Sequence, residues 1–156
     1  MAVNGSVFMD TSVLVAGLIE LDGPSAPAQR ILDAVSDGRV RRALTAWPCC
    51  LEFYSVATRL PEEFRLNPDD ALRLIEEVIL RHFQVLALPA DAFPGLLRLA
   101  ASERIRGGRI YDCHIGAIAV AARAKILVTD NLAHFESLLR QGIHVTSSAS
   151  FASDHL

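Results

Sequence analysis

Ser6-Val7-Phe8-Met9-Asp10-Thr11-Ser12-Val13-Leu14 decides the fold. A short apolar run ends at Met9, and helical patterning begins at Ser12 and continues to Leu21. A strand that passes straight into a helix, with an acid at the junction, opens an α/β unit. The same alternation returns late in the chain. Ile126–Thr129 reads as a strand, Asp130 and Asn131 follow it, and Leu132–Arg140 reads as a helix that stops at Gly142.

The intervening chain continues the pattern. Gly23-Pro24 breaks the first helix, a second covers Pro27–Ser36, and Asp37-Gly38 ends it. Ala43–Thr45 is a weak strand, followed by a helix over Pro48–Arg59 with Pro48 in its first turn. Pro61–Pro68 is a polar connection. Asp69–Arg81 reads as an amphipathic helix with Leu72, Ile75, Ile79 and Leu80 on its apolar side. Phe83–Leu88 is a strand, Asp91–Arg104 a helix, Gly107-Gly108 a turn, and Tyr111–Ala124 a nearly all-apolar helix expected to be buried. Ile143–Thr146 is the last strand. Strands alternating with helices predict a three-layer α/β/α sandwich with a mostly parallel central sheet, as a single unit over residues 1–156.

Composition agrees with that reading. A chain of 156 residues, 51% hydrophobic and 21% charged, has enough apolar side chains for one core and little room for disorder. Met1–Ser6 has no basic patch leading into an apolar core, and Ile115–Ala122 is too short an apolar stretch to cross a bilayer. A soluble, cytoplasmic protein without a membrane partner is expected. Cys49, Cys50 and Cys113 are odd in number and contain no C-x-x-C pair, so they read as small buried hydrophobes on helices. Trp47 and Tyr54 read as core or interface aromatics.

The net charge of −3 does not advertise a nucleic-acid binder, but two local clusters offset it. Arg39, Arg41 and Arg42 form one; Arg104, Arg106 and Arg109 form the other. Arginine supplies nearly all the positive charge, since Lys125 is the only lysine.

Four acidic positions fall where such a sheet carries function, at the carboxyl ends of its strands. Asp10 follows the first strand, Glu52 lies early in the helix after the second, Asp112 heads the apolar helix, and Asp130 follows the strand Ile126–Thr129. Each has a plain structural role open to it. Asp10 can cap a helix, Asp112 can complement a helix dipole, and Asp130 can serve turn chemistry. Glu52 sits among Leu51, Phe53 and Val56, where a carboxylate is poorly solvated unless it faces a cleft. Carboxylates gathered closely raise one another's pKa, and a cation relieves them. Oxygen ligands suit Mg²⁺ or Mn²⁺, and such an ion supports phosphodiester hydrolysis. Arg104, Arg106, Arg109 and Arg59 are placed to bring positive charge to the rim, and His114 and His134 are within possible reach.

The motifs carry a family resemblance. Met9-Asp10-Thr11-Ser12-Val13-Leu14 resembles the opening motif of PIN domains, and Leu51-Glu52-Phe53 with Arg59 resembles their second. Tyr111-Asp112-Cys113-His114-Ile115-Gly116 resembles the third, and Leu127-Val128-Thr129-Asp130-Asn131 the fourth. Their order, spacing and strand–helix context fit over about Val7–Val145. The resemblance implies a VapC-type toxin of a toxin–antitoxin pair: an endoribonuclease with an acid-lined Mg²⁺ or Mn²⁺ site, a homodimer, and a cognate antitoxin that blocks the cleft. Asp10, Glu52, Asp112 and Asp130 would be catalytic and metal-binding, with Asn131 as a further ligand. Thr11, Arg59, Arg104, Arg106 and Arg109 would meet the RNA. The fourth motif departs from the usual pattern: family register favours Asn131, and charge favours Asp130. The expectation is that Asp130 contributes more. The alternative is a catalytically weak PIN-like module that binds RNA or a protein partner.

Overall fold

In the computed structural model, which describes residues 2–21, 23 and 25–156, β1 (Val3–Met9) lies at the centre of a five-stranded sheet. Pro24, half of the expected break at Gly23-Pro24, lies outside the described residues, as do Met1 and Asp22. The strand order is β3 (Gln84–Leu86), β2 (Val40–Ala46), β1, β4 (Ile126–Val128), β5 (His144–Thr146), and every pairing is parallel. The chain builds outward from β1 on one side, then returns to build outward on the other. The order therefore reverses between β1 and β4, the place where α/β sheets open a ligand crevice.

The last four residues of both β1 and β2 are buried in succession. Such unbroken burial reflects a sheet covered on both faces. The covering helices are α1 (Thr11–Leu18), α2 (Ala26–Ser36), α3 (Trp47–Ala57), α4 (Pro68–Leu74), α6 (Phe93–Ser102), α7 (Arg109–Ala121) and α8 (Ser148–His155), with the short α5 (Leu80–His82) following α4. Phe8, Phe53, Phe135 and Phe151 fill the core, each contributing about 1.5–3 kcal/mol by burial. Gly17 sets the approach of α1 to α2: a Cβ there would come within 2.6 Å of Leu32.

Several expectations change. The amphipathic stretch is interrupted by a π turn at Ile75–Ile79. Its wider turn keeps residues four apart on one side, so Ala71, Ile75 and Ile79 are buried while Leu72 and Leu80 face outward. Leu132–Arg140 is two 3₁₀ segments, Leu132–His134 and Glu136–Gln141, rather than an α-helix. Its buried anchors, Phe135 and Leu138, are three residues apart, which suits three residues per turn. The apolar helix α7 is buried along one side only, at Ile115, Gly116, Ile118 and Ala119, and Tyr111 is exposed. Of the two readings for Trp47 and Tyr54, core or interface, exposure at the surface removes the core. Cys49 and Cys50 are buried and Cys113 half-buried, all as free thiols. The helix α8 was not expected; the Ser147 side chain caps it and Phe151 anchors it. Among the described residues, no helix is long and apolar enough to cross a membrane.

Candidate active site

Asp10 sits at the reversal point, where β1 ends and α1 begins. Its backbone N–H still donates to Val128 of the neighbouring strand β4, at 3.2 Å. Its carboxylate is nonetheless buried and heavily bonded. Oδ1 accepts from the Ser12 backbone N–H at 3.1 Å and from the Ser12 hydroxyl at 2.6 Å, and Oδ2 accepts from the Thr129 hydroxyl at 2.8 Å. Burial pushes the Asp10 carboxyl up to about 6; the hydrogen bonds from Ser12 and Thr129 oppose that rise, and the charge of Glu52 adds to it. Asp10 is thus both a helix cap and a buried acid whose charged form burial disfavours.

Glu52 projects from α3, in the turn after Pro48, and meets α1 at its first residue. The Thr11 hydroxyl, itself buried, donates to Glu52 Oε2 at 2.9 Å. That bond places the second acid beside the first.

Asp112 lies in the first turn of α7 and is half-buried. Its Oδ2 is 2.8 Å from His134 Nδ1 and 4.0 Å from Arg109 Nε. Arg109 also donates to the Ala133 carbonyl at 3.5 Å, so α7 and the Leu132–His134 turn are joined at this corner. A cavity of about 530 Å³ opens beside it, lined by Asp112, Arg109 and His134 together with Phe135, Leu138 and Val120. The cavity takes in Asp112 but neither Asp10 nor Glu52.

Asp130 and Asn131 divide as neighbours after a strand should. The Asp130 carboxylate turns to Ser148 at the start of α8, accepting from its backbone N–H at 3.0 Å and its hydroxyl at 2.9 Å. The Asp130 backbone N–H donates to the Ser12 hydroxyl at 3.0 Å. The Asn131 backbone N–H donates to the Thr129 hydroxyl at 3.0 Å, and its side chain is exposed. The expected contribution of Asp130 therefore meets a carboxylate already committed to α8.

The acids thus stand in two groups: Asp10 with Glu52, joined through Thr11, and Asp112 with His134 and Arg109. Among the described residues, no three His, Cys, Asp or Glu side chains are close enough to hold an ion as they stand. The donor chemistry still fits a hard cation: every acid offers oxygen only, and Asp10 is a carboxyl whose ionisation is costly without a nearby positive charge. Arg59, Arg104 and Arg106 are exposed and make no ion pair with the acids among the described residues. His114 packs edge-on against Phe93 at 5.2 Å, and burial lowers its pKa. Ser12, Thr129 and Ser148 were not foreseen as site residues. A threonine completing an otherwise apolar strand end was a legible signal for Thr129; nothing near Asp130 in sequence points to Ser148.

Comparison with known proteins adds an independent line. A family model described as "PIN domain" matches residues 6–133. Ribonuclease VapC27 of Mycobacterium tuberculosis (strain ATCC 25618 / H37Rv) is 35% identical over 109 residues, which cover 70% of this chain and 77% of the relative. Ribonuclease VapC40 of the same species (strain CDC 1551 / Oshkosh) is 34% identical over 121 residues, covering 78% of this chain and 84% of the relative. Among solved structures, VapBC-1 from nontypeable Haemophilus influenzae superposes with a TM-score of 0.63 at 17% identity, over 92% of this chain and 98% of that one. FitAB bound to an IR36 DNA fragment gives a TM-score of 0.63 at 16% identity, over 91% and 94%.

Proposed function

The chain belongs to the PIN-domain family, and from that premise we propose that it is the ribonuclease toxin of a VapBC-type toxin–antitoxin pair, an endoribonuclease that hydrolyses RNA phosphodiester bonds with Mg²⁺ or Mn²⁺. The observation that carries the reading is Asp10. It is a buried carboxyl at the sheet's reversal point, bonded by Ser12 and Thr129 and placed beside Glu52. An acid kept there at such an electrostatic cost marks a functional site.

Asp10, Glu52 and Asp112 would hold the ion, with Asn131 as a neutral amide ligand and Asp130 bracing the loop from behind. When bound, the ion supplies neutralising charge for the phosphate and an activated water. The chain's own contributions are positional. Ser12 and Thr129 fix the rotamer of Asp10, and Thr11, at the start of α1, aims Glu52 and would meet the RNA. Arg109 stands beside Asp112, and Arg59, Arg104 and Arg106 bring further positive charge to the rim for substrate phosphates. His134 Nδ1 stands 2.8 Å from Asp112 Oδ2, a position for which a bound ion would compete.

The same reading takes residues 1–156 as one PIN-like unit working in the cytoplasm. It takes the chain as a homodimer, supported by Trp47, Leu51 and Tyr54, which are exposed on one side of α3. A cognate antitoxin would block the cleft. The apolar cavity beside Asp112 supports that partner, offering room for an antitoxin segment with an Arg directed at the acids. One observation favours a second reading, a catalytically weak module that binds RNA or protein: Asp112 pairs with His134 rather than grouping with Asp10 and Glu52.

Purified chain incubated with cellular RNA decides between them. Cleavage with Mg²⁺ or Mn²⁺ that stops in EDTA and is lost in Asp112→Asn is expected. RNA bound but never cut, with either ion, would leave the binding module.

A further inference from the structure

We propose a second RNA-contacting site, a basic pocket at the amino edge of the sheet that grips the phosphate backbone away from the acids. It rests on the ribonuclease reading for its choice of polyanion. The pocket has a volume of about 350 Å³ and is lined by Arg41, Arg42, Arg123 and Lys125 around a floor that includes Asn4, Gly5 and Ser6.

The strand register brings these cations together. Ser6 of β1 pairs with Arg42 of β2, and on the other side Val7 pairs with Ile126, the residue after Lys125. Ser6 then ties down the third element. Its hydroxyl donates to the Arg123 carbonyl at 3.2 Å and accepts from the Lys125 N–H at 3.1 Å. Two chain segments distant in sequence, Arg41–Arg42 and Arg123–Lys125, therefore deliver positive charge to one concavity, joined through Ser6 of a third.

Two features keep the pocket open. The pairing of β1 with β2 slips between Val3 and Ser6, a bulge that redirects side chains. Gly5 occupies that bulge at φ +109, a conformation L side chains rarely adopt, and the stem of Lys125 lies over it, 3.5 Å from where a Cβ would be.

The charge is uncompensated. No acidic residue lines the pocket, and among the described residues none of the four cations forms an ion pair, whereas nearby Arg39 pairs with Asp37 at 3.5 Å. All four cations are exposed. In a chain of net charge −3, four unpaired cations in one concavity make a local positive field that opposes the molecule's overall sign.

Arg123 gives a separate indication. It occupies a left-handed position, φ 54, that closes α7, with its N–H donating to Val120 and the Ala124 N–H donating to Ala119. Glycine is the residue that suits such a turn, and a side chain there costs stability. The arginine held in that position is exposed and lines the pocket.

The pocket and Asp10 lie towards opposite ends of β1. Ser6 and Asp10 are four residues apart, about 13 Å along a strand, and the path over the surface is longer. A chain of phosphates anchored at the basic edge can extend to the acidic edge, so the pocket would set affinity for longer RNA without touching the bond that is cut.

Polyuridylate binding by the Asp112→Asn chain, titrated with salt, tests this without cleavage. Each phosphate contact to a single strand contributes roughly 0.7 to the slope of log affinity against log salt. Adding Arg41→Gln, Arg42→Gln and Lys125→Gln should lower that slope by about 2. Arg123→Gly should lower it by about 0.7 while the melting temperature holds or rises, which separates lost contact from lost fold. In the cleavage-competent chain the triple change should raise KM for long RNA and leave kcat alone. Unchanged slopes in both proteins overturn the proposal. Intact RNA binding with lost binding to phosphatidylserine vesicles also overturns it, assigning the pocket to a lipid surface. Absence of cleavage by the wild-type chain would count against the ribonuclease reading and leave the slope result standing.

Discussion

The hydroxyl of Thr129, at the end of β4, donates to Oδ2 of Asp10, at the end of β1, across a distance of 2.8 Å. Both residues are buried, and the bond joins the two strands between which the sheet reverses. Thr129→Val should remove it, leave the Asn131 N–H without its acceptor, and cost about 1–3 kcal/mol at neutral pH, because a buried acceptor left unmade is expensive. Urea denaturation gives the value. A loss within 0.3 kcal/mol of zero, taking roughly that as experimental resolution, would mean Asp10 draws nothing from Thr129.

The raised pKa of Asp10 has a consequence for stability against pH. Its ordinary value is 3.8 and its folded value about 6, so between those two the folded chain binds a proton that the unfolded chain has released. Stability from this group therefore falls as pH rises from about 4 to about 6 and is level above that. Asp10→Asn should flatten that slope. At pH 7 without metal it should be the more stable protein by about 1 kcal/mol, since relief of the buried charge, about 3 kcal/mol at most, outweighs the altered hydrogen bonds. Thermal melts from pH 4 to 8 test it; parallel curves for the two proteins would refute it.

Metal should reverse that order. If Asp10, Glu52 and Asp112 hold the ion, millimolar Mg²⁺ should raise the melting temperature of the wild type more than that of Asp112→Asn, because only differential binding shifts folding. Equal shifts would remove Asp112 from the ligand set. Asp10→Asn, Glu52→Gln and Asp112→Asn should each lose most RNA cleavage while remaining folded.

Asp130 and Asn131 should separate by kind of effect. The Asp130 carboxylate holds Ser148 through two bonds, so Asp130→Ala and Ser148→Ala should each cost about 1 kcal/mol of stability and loosen α8. Asn131→Ala should cost activity and little stability, and Asn131→Asp should tighten metal binding. Hydrogen exchange in α8 and isothermal titration with Mn²⁺ measure the two. Loss of Mn²⁺ affinity in Asp130→Asn, with α8 protection intact, would return Asp130 to the ligand set.

If the chain is the toxin of such a pair, its expression alone should slow growth, and co-expression of the cognate antitoxin should restore it. Asp112→Asn should be harmless. Equal toxicity of the two chains would place the harm outside this chemistry.

Much of this was legible in the sequence. The short apolar runs ending at Met9 and Val128 and the helical spacing between them are local patterns, so strand–helix alternation and a parallel sheet follow from them directly. The position of Asp10, Glu52 and Asp112 relative to those elements follows too, because an acid at a strand end or in a first helical turn is defined by its neighbours. Contacts at long sequence separation were not legible. Thr11 meets Glu52 across 41 residues and Asp130 meets Ser148 across 18; no pattern in either segment specifies its partner. The choice between Asp130 and Asn131, the pairing of Asp112 with His134, and the meeting of Arg42 with Lys125 beside Ser6 were likewise decided by packing. Local propensity fixes which residues stand at the ends of elements, and only the assembled sheet determines which of those ends face each other.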